Sequence, residues 1–449
     1  MGFRRTVDLI VDAGTLLPVD ASNAVFSHKS IIVDNGQIID ILDIKESRDR
    51  YFSENVVSAE NQIVMPGFIN THTHIPMSYF KGLADDLPLD KWLNDYIWPA
   101  ETQCINPEFV YEASLHGIAE LIKNGVTFFN DMYFLPQKTA KACKEIGMRA
   151  MLGDVVIGVS MGNFHKAEDN LKGILKNIEI VSDTPLIDFA VAAHSVYACP
   201  EETWKLAIKT AQAHNLLIHT HLSETEKEVS DCRKQHNGKS PVKFLHDLGA
   251  FDSKLIFAHG VHLDKDDFSL IQGKDCSVAV NLHSNLKLAS GILPFAEYQS
   301  HGINISFGTD GVASNNTLSI SDEISTAGKL FKAMYKDPSF LPAKELVKMA
   351  TINGAKALQK DQITGSIEIG KAADIICIDV DNFQCQPVYD PFSYIVHSMN
   401  RQKISHVIIN GRIVLKNGNL TTVDEGMLLD NAKKNKKSIK LKMLGIGGK

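Results

Sequence analysis

The chain has 449 residues, 44% of them hydrophobic and 22% charged, with a formal net charge of −7 and a pI near 6.2. A chain of this size buries a large core, and its mild acidity gives no reason to expect nucleic acid as a partner. Seven cysteines without a CxxC pair argue against a disulfide framework or a thiolate zinc site and fit a reducing, cytoplasmic location; no apolar run approaches membrane-spanning length.

At the N-terminus, "MGFRRT" formally matches a myristoylation pattern, but "TVDLIVDAGTLL" reads as a buried strand, so the match is set aside as chance. No apolar signal core with a cleavage site is visible there. Next, "SIIVDNGQIIDI" places Asn35-Gly36 between two apolar strands, as a two-residue type I′ hairpin requires. Eight short apolar runs follow, beginning at Phe68, Gly125, Arg149, Ile187, Leu216, Lys254, Cys276 and Gly302. Between them, segments such as "ETWKLAIKTAQAHN" and "PVKFLHDLGA" have helical spacing of apolar residues. This alternation predicts a closed (β/α)₈ barrel of the α/β class over residues 66–365. Beyond it, "ADIICIDVD" from Ala373 reads as a strand and "HVIINGRIVLKNG" repeats the hairpin grammar at Asn410-Gly411. Residues 1–65 and 366–430 are each too small to bury a face alone, and are expected to pack together as one small β-sandwich. The basic "AKKNKKSIKLK" from Ala432 reads as a solvated helix end or tail over 431–449.

Active sites of such barrels lie at the C-terminal ends of the strands. Here strand one ends in His72 and His74, which share one side because strand side chains repeat every second residue. Strand four ends in His194, strand five in His221 with Glu224, strand six in His259 and strand eight in Asp310. Three neutral imidazoles and one carboxylate suit a divalent ion that keeps a position for water. His72, His74, His221 and Asp310 are assigned to it, although His219 has the same parity as His221 and could replace it from a deeper level. Glu224 is placed to shuttle protons, and His259 to hydrogen-bond an attacking water.

Longer motifs narrow the field. The stretch "PGFINTHTHIPMSYFKGLADDLPLDKWLNDYIWPAE", with "NDMYF", "AHSVYACPEE", "HLSETEKEV", "FAHGVHLD", "SNLKLASG", "GTDGVASNN" and "GSIEIGKAADIICID", resembles the amidohydrolase superfamily. It is most similar to the 5′-methylthioadenosine/S-adenosylhomocysteine deaminases, in the group that includes the s-triazine hydrolases. The resemblance implies a single metal ion, zinc, on His72, His74, His221 and Asp310, with iron and manganese left open by the ligand set. It implies a proton-shuttling Glu224 that also contacts substrate, and His259 and Asp310 orienting water. It further implies that Glu101, in "WPAE", holds ribose hydroxyls and that His194, in "AHSVY", contacts the substrate. The reaction implied is hydrolytic deamination of a 6-aminopurine nucleoside, giving the inosine analogue and ammonia, and large relatives of the fold commonly form homo-oligomers.

Two departures from the family pattern stand out. Relatives that handle S-adenosylhomocysteine carry an arginine on strand three, where this chain has Gly153 and Asp154. A carboxylate there would repel another carboxylate, which shifts the expectation toward methylthioadenosine or adenosine. On strand seven, the histidine-asparagine or histidine-cysteine pair followed by proline that relatives usually have is replaced by Val280, Asn281 and Leu282; His283 reads first as a surface residue and second as a partial substitute. Rival readings are a deaminase of aminodeoxyfutalosine, guanine or a pterin, and a triazine hydrolase; Glu101 favours a ribosyl substrate. A non-catalytic metal-binding assembly protein would lack ligands or shuttle, and none is missing.

Overall fold

Runs of Val, Ile, Phe and Ala between polar ends become eight parallel strands in a computed structural model that describes residues 4–158, 167–181, 184–399 and 403–444. The strands are Phe68–Thr73, Val126–Tyr133, Arg149–Val156, Ile187–Ala193, Ile218–Leu222, Leu255–His259, Cys276–Val280 and Asn304–Phe307, hydrogen-bonded in chain order. The last strand returns to the first: Thr71 Oγ1 donates to Phe307 O (2.9 Å), and the amides of Thr309 and Asp310 donate to His72 O (3.1 and 3.0 Å). The barrel is therefore closed, and its interior fills with side chains. Ile69, Phe128, Met151, Ala190, Ile256 and Ala279 point inward and pack on Leu358 beside helix Ile352–Ala357, which plugs the N-terminal end. Function is left to the opposite end.

The two chain ends combine in a single sheet. Strands Leu9–Leu16, Phe26–Asp34, Gln37–Asp43 and Val56–Pro66 share one eight-stranded sheet with Ile375–Asp379, Ile404–Ile409, Arg412–Lys416 and Asn419–Leu420. Leu9, Val11, Ile31, Val33, Val64, Ile375 and Ile408 form its common buried core. Both Asn-Gly turns have positive φ at both positions, 50° and 78° at Asn35-Gly36 and 49° and 77° at Asn410-Gly411. They also meet, for a Cβ at Gly411 would stand 2.9 Å from the Gly36 Cα, so glycine serves both the turn and the approach.

Where the sequence reading expects a solvated tail over 431–449, the structure has helix Glu425–Leu444, which buries Leu428 and Ile439 against the barrel layer. Its lysines stay outside while two apolar side chains turn inward, so the charge run masks a docked helix. Residues 1–3 of the myristoylation match and residues 445–449 of the basic segment lie outside the described residues.

One buried ion pair ties sheet to barrel. Arg149, at the base of barrel strand three, donates from Nε to Asp374 Oδ2 (2.8 Å) and from Nη2 to Oδ1 (3.2 Å). Thr364 Oγ1 and the Asn410 amide satisfy the same carboxylate (2.7 Å each). Removing one member leaves a buried charge without a partner, so Asp374→Ala should destabilise the protein by about 3–5 kcal/mol, read by urea denaturation.

Candidate active site

The polar strand ends converge above the plugged interior. His72 is the inward residue near the end of strand one, and His74 follows just beyond it; their ring centroids lie 4.9 Å apart. His221 from strand five is 4.8 Å from His72 by centroid, and its Nε2 is 3.3 Å from that of His74. Asp310 Oδ1 stands 3.4 Å from His72 Nε2 and 3.1 Å from His74 Nε2. The potential ligand atoms of His72, His221, His259 and Asp310 all lie within 4.8 Å of one another. The structure thus brings all four sequence-assigned ligands together and adds His259 to their edge. His219 sits below, its Nε2 2.8 Å from His72 Nδ1, as a partner of that ring at the deeper level.

Backbone geometry aims these side chains. His259 and Asp310 have φ of 73° and 61°, and Ser223, before Glu224, has 52°. Such positive values in non-glycine residues store strain of about 1–3 kcal/mol each and persist where surrounding structure enforces them. Here Glu228 enforces one, accepting hydrogen bonds from the Ser223 and Glu224 amides (3.0 and 2.7 Å). At Asp310, Oδ2 accepts from Ser284 and Ser314 hydroxyls (2.7 Å each) and Oδ1 from the Gly311 amide (2.8 Å).

The donor set fits a divalent cation. His74 Nδ1 donates to Met132 O (2.7 Å) and His221 Nδ1 to His194 O (2.8 Å), which orients both rings with Nε2 facing the centre. The buried His72 Nε2 has no hydrogen-bond partner among the described residues. Burial lowers the pKa of His72 to about 4, holds His221 well below its usual value and lowers His194 to about 3, so these rings are neutral near pH 7. Burial alone would lower His74 and raise Asp310. Their mutual attraction wins, lifting His74 to about 9 and holding Asp310 well below the carboxylate range. The centre demands positive charge, and neutral imidazoles with one carboxylate are how proteins hold zinc.

Glu224 and His259 stand beside the cluster, with Glu224 Oε2 3.8 Å from His259 Nε2. His259 Nδ1 bonds Asn285 Oδ1 (2.8 Å), and Ser290 Oγ donates to Glu224 Oε1 (3.4 Å). Burial raises the Glu224 pKa. Above them opens a cleft of about 670 Å³, whose walls include Trp92, Trp98, Tyr133, Phe134, Tyr197 and Leu288. Glu101 and His194 both line it. Glu101, on helix Trp98–Cys104, is buried, accepts a hydrogen bond from Tyr133 (2.7 Å), and has its pKa raised to about 7 by burial.

One sequence expectation needs correction. Asp154 is not among the described residues lining the cleft; Val155 and Ile157 are. Its carboxylate faces the helix layer, where a Cβ on Gly173 would be 3.7 Å from Oδ2, and burial pushes its pKa to about 8. It cannot repel a substrate from there. His283 follows its surface reading and not the partial-substitute one: its half-buried ring bonds Thr326 Oγ1 through Nε2 (2.7 Å), and it is not among the described residues lining the cleft. The rim is supplied instead by Ser284, Asn285 and Ser290, all within the quoted "SNLKLASG" motif. Tyr133 and Glu228 carry no role assigned from the sequence, although both lie inside quoted motifs, "NDMYF" and "HLSETEKEV".

A closed barrel with a rim of this composition defines a metal-dependent hydrolase architecture. Residues 63–414 match the amidohydrolase family, to which the chain belongs. It is 39% identical to a 5-methylthioadenosine/S-adenosylhomocysteine deaminase of Thermodesulfovibrio yellowstonii, over 94% of this chain and 97% of that protein. It is 38% identical to a 5′-deoxyadenosine deaminase of Methanothermobacter thermautotrophicus, over 90% and 93%. An adenosine deaminase from Xanthomonas campestris, crystallised with zinc, superposes with a TM-score of 0.94 at 33% identity, covering 98% of this chain and 100% of that one. An atrazine chlorohydrolase of Arthrobacter aurescens shares the fold with a TM-score of 0.87 at 20% identity, over 95% and 99%.

Because burial raises the Glu101 pKa from 4.5 to about 7, the folded protein holds that proton where the unfolded chain has released it. Its contribution to stability is complete below pH 4.5 and is lost as pH rises toward 7. Glu101→Gln should make the pH dependence of stability shallower in that window by about 1.4 kcal/mol per pH unit, measured by denaturation at a series of pH values.

Proposed function

We propose that this chain is a zinc-dependent deaminase of 6-aminopurine nucleosides, acting on 5′-methylthioadenosine and adenosine and releasing the inosine analogue and ammonia. The observation that carries this reading is the pairing of Glu224 with His259 at the edge of the imidazole–carboxylate cluster, on the floor of a cleft that also contains the buried Glu101. The names of the relatives support the same chemistry and the same class of substrate.

His72, His74, His221 and Asp310 would hold the ion, which when bound acidifies water near neutral pH. The protein's own groups supply the rest. His259, its Nδ1 engaged by Asn285, presents Nε2 to the attacking water. Glu224 takes a proton from that water and delivers it to purine N1 as oxygen bonds to C6. A further proton passed through Glu224 to the exocyclic amine lets the C6–N bond break with loss of ammonia. Glu101 accepts hydrogen bonds from ribose hydroxyls, held in place by Tyr133. His194 lies at the base side of the cleft and bounds the purine.

No lysine or arginine is among the described residues lining the cleft, whose walls toward Leu89, Leu93 and Ile97 are apolar. That supports a 5′ substituent that is small and uncharged, such as methylthio or hydrogen, over the amino-acid moiety of S-adenosylhomocysteine. Seven free, buried cysteines support a reducing, cytoplasmic location.

Ammonia release should be fastest with methylthioadenosine, 5′-deoxyadenosine or adenosine and slower with S-adenosylhomocysteine. Release from guanine alone would overturn the nucleoside reading. Glu224→Gln should retain the ion and lose about 10²–10⁴-fold in kcat. Full activity in that variant, with metal content measured by emission spectrometry, would remove Glu224 from the mechanism.

A further inference from the structure

The basic segment after Ala432 is the sequence feature that the proposed reaction leaves without a role. It belongs to helix Glu425–Leu444, which lies across helices Trp98–Cys104 and Pro107–Lys123. Ile439 is 4% exposed and shares a hollow with Cys104 and Phe109. Lys442 Nζ donates to Gln103 O (2.9 Å) in the last turn of helix Trp98–Cys104. There the carbonyls lack intrahelical partners and the helix dipole favours a cation. Asn435 Nδ2 donates to Glu112 Oε2 (2.8 Å), and Lys123 pairs with Glu425 at 2.6 Å near the start of the crossing helix.

Helix Trp98–Cys104 is no ordinary neighbour. It closes a helical run from Leu89 to Cys104 that caps the cleft with Leu89, Trp92, Leu93, Ile97, Trp98 and Glu101. The run includes a π-helical stretch, Trp92–Ile97, a rare geometry often found at functional sites. Its base is buried in the main core through Ile97, Ala100 and Cys104. Side chains from outside the run also reach it: Tyr133 from barrel strand two, through Glu101, and the C-terminal helix, through Ile439 and Lys442.

We infer that the C-terminal helix is a strap for the cap, with Ile439 and Lys442 acting as positioning residues that hold Trp98 and Glu101 in register with the cleft. Neither touches the cleft, so their influence falls on substrate affinity rather than on proton transfer at the floor. The inference rests on the reading of this cleft as the nucleoside site.

The test compares full-length Ile439→Asp, Lys442→Ala and the conservative Ile439→Leu with the intact protein. It reads ammonia-release kinetics with methylthioadenosine, bound metal, and hydrogen–deuterium exchange of residues 98–104. Ile439→Asp should raise KM about tenfold with kcat within about twofold, the mark of lost uniform binding. It should speed exchange in 98–104 and leave metal content unchanged, Lys442→Ala should do the same more weakly, and Ile439→Leu should behave as the intact protein. Unchanged KM and exchange would overturn the strap, as would a joint fall of kcat, metal content and affinity, which marks general structural support. Should the intact protein release no ammonia from any nucleoside, the functional reading fails; the exchange comparison still decides whether the helix governs the cap.

Discussion

A single buried carboxylate facing imidazoles sets the terms for the rest of the molecule. Asp310 is buried at the floor of the cleft, and its charge persists there because hydroxyls, an amide and two imidazoles surround it. The same site lowers His72 and His221 into the neutral form while backbone carbonyls turn Nε2 of His74 and His221 inward. Nitrogens 3.3 Å apart need positive charge between them, from a proton on His74 or from a cation. A barrel rim built this way suits a cation, and the strained φ values at His259 and Asp310 are the cost of turning side chains from separate strands toward one centre.

That constraint explains why the rim is stiff below and apolar above. A packed interior plugged by Leu358 fixes the strand ends from beneath, so the donor atoms cannot spread to relieve their repulsion. Aromatic walls lower the local dielectric, which strengthens every charge interaction at the floor. They also raise the pKa of each carboxyl that remains, including Glu101 and Glu228, whose hydrogen bonds then compensate only in part. Buried carboxyls with few partners are tolerated here because each holds a position: Glu228 holds the turn before Glu224, and Tyr133 holds Glu101.

The parts of this arrangement that follow from local rules were legible in the sequence. Period-two parity put His72 and His74 together, and the two Asn-Gly pairs announced the hairpins that join the chain ends. Parity also left His219 and His221 indistinguishable, because both face inward on strand Ile218–Leu222; only depth along the barrel separates them, and depth is a property of the closed barrel. Asp154 was misread for a related reason. Its place beyond the middle of strand three says nothing about which side the chain presents to the cleft, and Val155 takes that side. Tyr133 and Ser284 meet their partners across sequence gaps of 32 and 26 residues, which no spacing rule connects. The terminal helix was hidden by its lysines, since two buried apolar residues among many charges leave almost no periodic signal.

Chemistry and recognition consequently rest on different kinds of support. The floor is enforced from several sides by barrel closure, a plugged interior and hydrogen-bonded turns, so any movement there breaks many interactions at once. The cap is a helical run seated on the core by Trp92, Ile97, Ala100 and Cys104 and touched from outside by a tyrosine and a surface helix. Substitutions in the cap can therefore alter what fits without disturbing the donor set, whereas substitutions at the floor cannot be absorbed locally. The fold itself is shared at 20% identity with an atrazine chlorohydrolase, so the frame alone does not decide the reaction; in this chain the floor gathers the reactive groups and the cap bounds what reaches them.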